Sequence, residues 1–237
     1  MDSARDRLIV ALDVPHAAEA QKIVNALGDC VSTYKVGKQL FTAAGPAVVR
    51  ELVDAGRAVF LDLKFHDIPN TVAAAVRAAS ELGVAMLTVH ASGGSKMLKA
   101  AVEAAGSAKH PPRVLAVTVL TSLDDSDLKE IGVATPTLEQ ALRLASLARK
   151  AGCAGVVASA QEAKAIRREL GADFAIVTPG VRPAGGSKDD QARVATPAEA
   201  IAAGATHIVV GRPITGAKDP VAAARAILDE ISPKVLA

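Results

Sequence analysis

"AVFLDLKFHDIPNTVAAAVRAASELG", residues 58–83, holds one complete structural unit. An apolar run opens it, Asp62 and Lys64 interrupt that run two residues apart, Pro69 begins an alanine-rich stretch, and Gly83 closes it. A short apolar run predicts a strand buried on both faces. Proline at the first helical position and glycine after the last mark the two ends of a helix. The stretch therefore reads as strand, polar turn and helix, half of a parallel βαβ repeat.

The same order recurs along the chain. Strands are predicted at 8–13, 33–38, 58–64, 86–91, 114–120, 155–160, 174–180 and 207–213. Helices near 16–27, 46–55, 70–82 and 95–105 run into Gly28, Gly56, Gly83 and Gly106. Pro46, Pro69, Pro136, Pro197 and Pro220 take first helical positions, and "SAQE" (159–162) and "TPAE" (196–199) have capping-box spacing. Stretches 135–152 and 219–231 complete the helices. Eight strands alternating with eight helices predict a (β/α)8 TIM barrel, a single domain over residues 1–237. A doubly wound open sheet is the runner-up, but it expects a glycine-rich phosphate loop where "LDVPHAAEA" stands.

Composition narrows the partners. Half of the 237 residues are hydrophobic, the net charge is only +2 and aromatics make up 2%. With basic residues scattered among acids and little to stack on bases, no nucleic-acid partner is expected. The N-terminal "MDSARDRLIVALD" lacks the long apolar core of a signal peptide, and no run approaches the length of a membrane span. The expectation is a cytoplasmic protein without a membrane partner. Cys30 and Cys153 lie far apart with no ligand or redox spacing and read as buried thiols.

Chemistry in such a barrel sits where strands end and βα loops begin. The polar residues there are Asp13, Lys35, Asp62, Lys64, Asp67, His90, Thr121, Ser159, Arg182 and Arg212. Alternation puts Asp62 and Lys64 on one strand face and Leu61, Leu63 and Phe65 on the other. With the apolar set packed against helices, both charges face the barrel mouth. Asp67 follows in the loop before Pro69, and Lys35 and Asp13 can extend an Asp–Lys–Asp array.

A lysine held between carboxylates keeps its proton, which suits a positioned acid or a group stabilising negative charge at carbon. The same pairing argues against a Schiff-base lysine, which must lose its charge to attack. At about 4 Å and an effective dielectric near 20, one pair interacts by roughly 4 kcal/mol before desolvation. An anionic substrate group forced beside Asp62 meets repulsion of similar size, relieved if that group leaves as neutral CO2. A plain salt-bridged strand end is the bland reading.

The last two strand ends point to an anion. Gly211 permits close backbone approach, Arg212 offers a planar fork, and "PITG" after it predicts a helical turn whose N–H groups face the anion. The segment from Val181 to Ala195 is long for a βα loop, either surface decoration or a cover over a ligand. Arg182 and Gln191 within it are candidates to reach a phosphate. "ASGGSK" (91–96) fits either a second anion cradle or plain loop geometry. The five histidines, His16, His66, His90, His110 and His207, share no ligand spacing, so no metal site is expected.

These residues resemble the orotidine 5′-phosphate decarboxylase family. "LDLKFHDIPNTV" looks like its D-x-K-x-x-D signature in bacterial form. The likeness runs on through "VALDVP", "YKVGKQLF", "LTVHASGG", "VTVLTS", "TPGVRP…DDQARVATP" and "VVGRPIT". It implies decarboxylation of orotidine 5′-monophosphate to UMP and CO2 in de novo pyrimidine biosynthesis, without cofactor or metal. On that resemblance Lys64 delivers the proton to C6 of the pyrimidine and Asp62 sits against the leaving carboxylate. Asp67 comes from the partner subunit of a homodimer with shared sites, and Thr71 reaches the ligand from the interface. Lys35 and Asp13 meet the ribose, Thr121 contacts the substrate, and Arg182, Gln191, Gly211 and Arg212 hold the phosphate side. Lys38 in "KVGKQLF" departs mildly from the family pattern; strand parity predicts that it points with Val36, away from Lys35. D-x-K-x-x-D alone is shared with sugar-phosphate relatives. A Mg2+-dependent 3-keto-gulonate-6-phosphate decarboxylase or hexulose-phosphate synthase therefore stays as the alternative, with an inactive phosphate-binding barrel and a Schiff-base aldolase behind it.

Overall fold

The computed structural model describes residues 4–183 and 195–232. Among them, strands β1 (Leu8–Ala11), β2 (Thr33–Gly37), β3 (Ala58–Phe65) and β4 (Met86–His90) are followed by β5 (Arg113–Val117), β6 (Gly155–Val157), β7 (Ala175–Thr178) and β8 (His207–Val210). All eight pair in parallel and in sequence order, and β8 returns to β1 to close the barrel. Closure removes the doubly wound sheet from consideration, since that fold leaves two open edges.

The strands are rich in apolar residues, and their side chains divide between two cores. One set, including Ile9, Phe60, Met86, Leu115, Val177 and Val209, fills the barrel interior. The other, including Leu8, Tyr34, Leu61, Leu87, Val156 and Ile208, packs outward against the helices. Alternation along each strand produces this division directly. No described helix is long and apolar enough to cross a membrane.

Most helix boundaries follow the local signals. Pro69, Pro197 and Pro220 open the helices Pro69–Ser80, Pro197–Ala202 and Pro220–Ile231. Pro46 and Pro136 instead stand one position earlier, as caps of Ala47–Asp54 and Thr137–Lys150. Ser159, named above for its strand-end position, caps the helix Ala160–Leu170, and its N–H donates to Glu162 Oε2 at 2.8 Å. Gly106 is the last residue of the helix Gly94–Gly106, which is capped by Ser107. Three helices lack any counterpart in the predicted set: Ala4–Arg7 directly before β1, Lys38–Ala44 directly after β2, and Asp125–Glu130, held by an Asp124/Asp127 capping box. Lys38 is thus the first residue of a helix and exposed, so strand parity does not govern it.

Candidate active site

The C-terminal ends of β1, β2 and β3 deliver a continuous run of opposite charges. Lys35 Nζ lies 2.8 Å from Asp13 Oδ1 and 3.8 Å from Asp62 Oδ2, and Lys64 Nζ lies 2.8 Å from the same Asp62 oxygen. The order is Asp13–Lys35–Asp62–Lys64, alternating in sign. Register explains it: Ala11 stands beside Lys35, and Gly37 beside Asp62, so consecutive strands present these groups at successive heights of the mouth. Side-chain exposure falls to 12% for Asp62 and 25% for Lys64. Burying ions costs several kcal/mol each, so an apolar cluster would stabilise the barrel as well or better. Such an arrangement belongs to chemistry.

Strand β3 is distorted where it carries these groups. It advances from Leu61 to Phe65 while β4 advances only from Leu87 to Val89. The extra length forms a bulge, and Lys64 takes φ +53°, the one left-handed conformation of a non-glycine among the described residues. Left-handed backbone in a lysine costs on the order of 1 kcal/mol and persists only where surroundings impose it. Here Thr88 of β4 stands opposite the bulge. Its hydroxyl accepts the Lys64 N–H at 2.9 Å and donates to Asp62 Oδ1 at 3.0 Å.

Asp62 is held ionised by its neighbours. Burial pushes its carboxyl upward, but Lys64 and Lys35, with hydrogen bonds from Lys64 and Thr88, outweigh it and leave the group below the usual 3.8. Gly37 completes this side. A Cβ there would stand 2.9 Å from Lys35 Nζ and 3.0 Å from Asp13 Oδ1, so a side chain would press on the ion pair.

The array forms one wall of a cavity of about 580 Å³, the size of a small-ligand site. Phe60, Val117, Val157 and Val209 line its apolar floor, and Thr121 joins from the loop after β5. Arg182, Gly211 and Arg212 line the far side. Arg182 is buried, and its N–H donates to Ala195 O at 3.0 Å beside a bridge between Val181 and Ala195. Gln191 lies outside the described residues. The "PITG" turn forms as Arg212–Thr215. However, the N–H groups of Ile214 and Thr215 donate to Gly211 O, and that of Gly216 to Arg212 O. Those three donors serve the turn itself.

Asp67 and Thr71 do not join the cavity wall. Both are exposed, Asp67 Oδ1 accepts the N–H of Ile68 at 2.6 Å, and Ile68 between them is 66% exposed. His66 lies beyond the end of β3, its ring 5.3 Å from that of His90. Burial, then His66, Lys38 and Lys64, pushes His90 down to about 4. Gly93 of "ASGGSK" leaves room for the Met97 side chain, which settles that residue as loop packing. Cys153 is buried and its thiol is pushed up to about 12 by that burial, while Cys30 is half-buried. Among the described residues no group of three or more His, Cys, Asp or Glu is arranged to hold a metal.

The sequence reading missed Thr88 and Gly37. Parity with Met86, a barrel-interior residue, was the available signal for Thr88. For Gly37 it was the second position after Lys35, where alternation returns a side chain to the mouth.

Fold and site define a class: a (β/α)8-barrel enzyme with interlocked acids and lysines on its first strands and arginines after its last two. The chain belongs to the orotidine 5′-phosphate decarboxylase / HUMPS family, whose model matches residues 6–227. It is 56% identical over 234 residues to the orotidine 5′-phosphate decarboxylase of Moorella thermoacetica, covering 96% of this chain and 93% of the relative. Identity to the Halorhodospira halophila enzyme of the same name is 57% over 226 residues, with 95% and 96% covered. The crystal structure of orotidine 5′-phosphate decarboxylase from Lactobacillus acidophilus superposes with a TM-score of 0.85 at 44% identity, covering 95% of this chain and 99% of that one.

Proposed function

We propose that this chain decarboxylates orotidine 5′-monophosphate to UMP and CO2 in pyrimidine biosynthesis. The observation that carries the reading is the Asp62–Lys64 pair, 2.8 Å apart and largely buried at the mouth of a barrel of this family. The bond between C6 and the carboxylate breaks, its electron pair stays on C6, and CO2 departs neutral. Asp62, held ionised, faces the departing carboxylate and raises the energy of the bound substrate more than that of the transition state. The Lys64 ammonium stabilises the charge gathering on C6 and supplies the proton that ends there. Lys35 and Asp13 take the ribose, Thr121 contacts the substrate, and Arg182, Gln191, Gly211 and Arg212 hold the phosphate. No cofactor or metal takes part on this reading.

The site is shared between two copies of one single-domain chain, a homodimer in the cytoplasm. Asp67 and Thr71 do not line their own cavity and lie on an exposed segment that includes Ile68. From there they serve the partner's substrate, Asp67 completing the partner's charge array.

Incubation of the purified protein with orotidine 5′-monophosphate in EDTA, followed by pyrimidine absorbance, tests the reaction. Turnover that survives chelation and disappears in Lys64→Ala supports it; no turnover sinks it, and activity that depends on added Mg2+ favours the sugar-phosphate relatives. For the shared site, inactive Lys64→Ala and Asp67→Ala subunits are mixed. Random pairing leaves one intact site in each heterodimer, so about a quarter of wild-type activity returns. No recovery in a verified heterodimer removes the shared site.

A further inference from the structure

The bulge in β3 leaves two polar demands that β3 itself does not meet: the N–H of Lys64, turned out of the regular ladder, and Asp62 Oδ1 on the side away from the lysines. One hydroxyl meets both. Thr88 Oγ1 accepts from Lys64 N at 2.9 Å and donates to Asp62 Oδ1 at 3.0 Å, and Thr88 is fully buried. The other carboxylate oxygen, Oδ2, takes Lys64 Nζ at 2.8 Å. Asp62 is therefore gripped at both oxygens, and Lys64 at both its backbone and its ammonium.

From this geometry we infer that Thr88 is a positioning residue, whose hydroxyl locks the left-handed Lys64 backbone to the Asp62 carboxylate and so fixes the proton donor against the leaving group. The inference rests on the decarboxylase reading for its kinetic consequence, while its structural consequence stands alone. A β-branched residue on a strand has a restricted χ1, so the hydroxyl is held in place by backbone conformation rather than by the substrate. A valine would fill nearly the same space yet neither accept nor donate, and burial leaves no water to take over. Without the hydroxyl, Lys64 relaxes toward the extended region, and its ammonium moves relative to C6. Displacement by about 1 Å costs up to about a hundredfold in rate.

Four proteins test this: wild type, Thr88→Val, Thr88→Ala and Thr88→Ser. Serine and alanine differ by the hydroxyl alone, so their comparison holds even if the valine variant folds poorly. In Val and Ala, kcat falls by about tenfold to a hundredfold with a smaller change in KM. Their acid limb of kcat/KM moves to higher pH, because Asp62 has lost a hydrogen bond to its charged form. Serine recovers most of the loss and keeps the wild-type pH profile. A Thr88→Val enzyme at wild-type rate overturns the proposal, and so does a serine variant as slow as alanine, which would assign Thr88 to packing. Amide hydrogen exchange at Lys64 reads the same lock without substrate: slow in wild type and Ser, fast in Val and Ala, with equal exchange in all four overturning the proposal. If wild type exchanges as expected yet turns over no orotidine 5′-monophosphate, the lock stands and the decarboxylase reading falls.

Discussion

The two halves of the cavity are built on different principles. On the side of β1 to β4, Asp13 and Lys35 meet at 2.8 Å, Asp62, Lys64 and Thr88 hold one another at 2.8–3.0 Å, and a 3.8 Å contact from Lys35 to Asp62 joins the two groups. Lys35, Asp62, Lys64 and Thr88 stand on strands, and Asp13 follows two residues after β1. On the side of β7 and β8, Arg182 and Arg212 stand in the connections that follow the strands, with Arg212 exposed. Groups that must be aligned to fractions of an ångström are thus interlocked before any ligand arrives. The groups that the proposed function assigns to an anion are carried on long, adaptable side chains.

Substitutions on each side separate the two principles. Lys64→Ala, on the interlocked side, removes the proposed proton donor and is expected to lower kcat by about a thousandfold or more. UMP affinity, measured by calorimetry, changes far less; equal losses in both would dissolve the distinction. Arg212→Ala, on the opposite side, raises KM by about tenfold to a hundredfold through loss of a charge-assisted contact, with kcat nearly preserved. A fall in kcat with unchanged KM would place Arg212 among the reacting groups.

Gly37→Ala tests how tightly the first half is packed. The added methyl meets the ends of two side chains, so the protein folds, but Lys35 shifts off Asp13. A loss of about two- to tenfold in kcat/KM is expected; no loss at all would show that Lys35 tolerates the displacement.

Acid separates the array from its surroundings by smaller effects. His90 has a folded value of about 4 against the usual 6.5, so the unfolded chain takes up its proton first as pH falls. Its contribution to stability is complete above 6.5 and is lost between 6.5 and about 4. Asp62 is also shifted downward, here because its charged form is favoured, so its contribution persists above 3.8 and goes only as pH falls below that. Denaturant melts across this range should slope in wild type and flatten in His90→Asn. An unchanged slope would assign it to other groups.

Much of this was legible in the residues. Apolar runs, first-turn prolines and capping boxes identified the repeating unit, because each depends on chemistry within a few positions. Alternation placed Asp62 and Lys64 on the mouth side, and it did so despite the bulge because the extra length in β3 amounts to two residues, which preserves parity. The helix Lys38–Ala44 was not legible, since it starts directly from a strand without a turn signal. Nor was the engagement of the "PITG" amides within their own turn, which depends on the conformation of Gly211.

By itself, then, the sequence determined the eightfold strand–helix order and which charges end the strands, since periodicity, caps and residue type are local properties. Only the tertiary structure decided that β3 would bulge, that Lys64 would adopt a left-handed backbone, and that Thr88 would stand between its N–H and Asp62. The reason is that register between neighbouring strands is a relation between distant residues. No local pattern in β3 states which residue of β4 will face it.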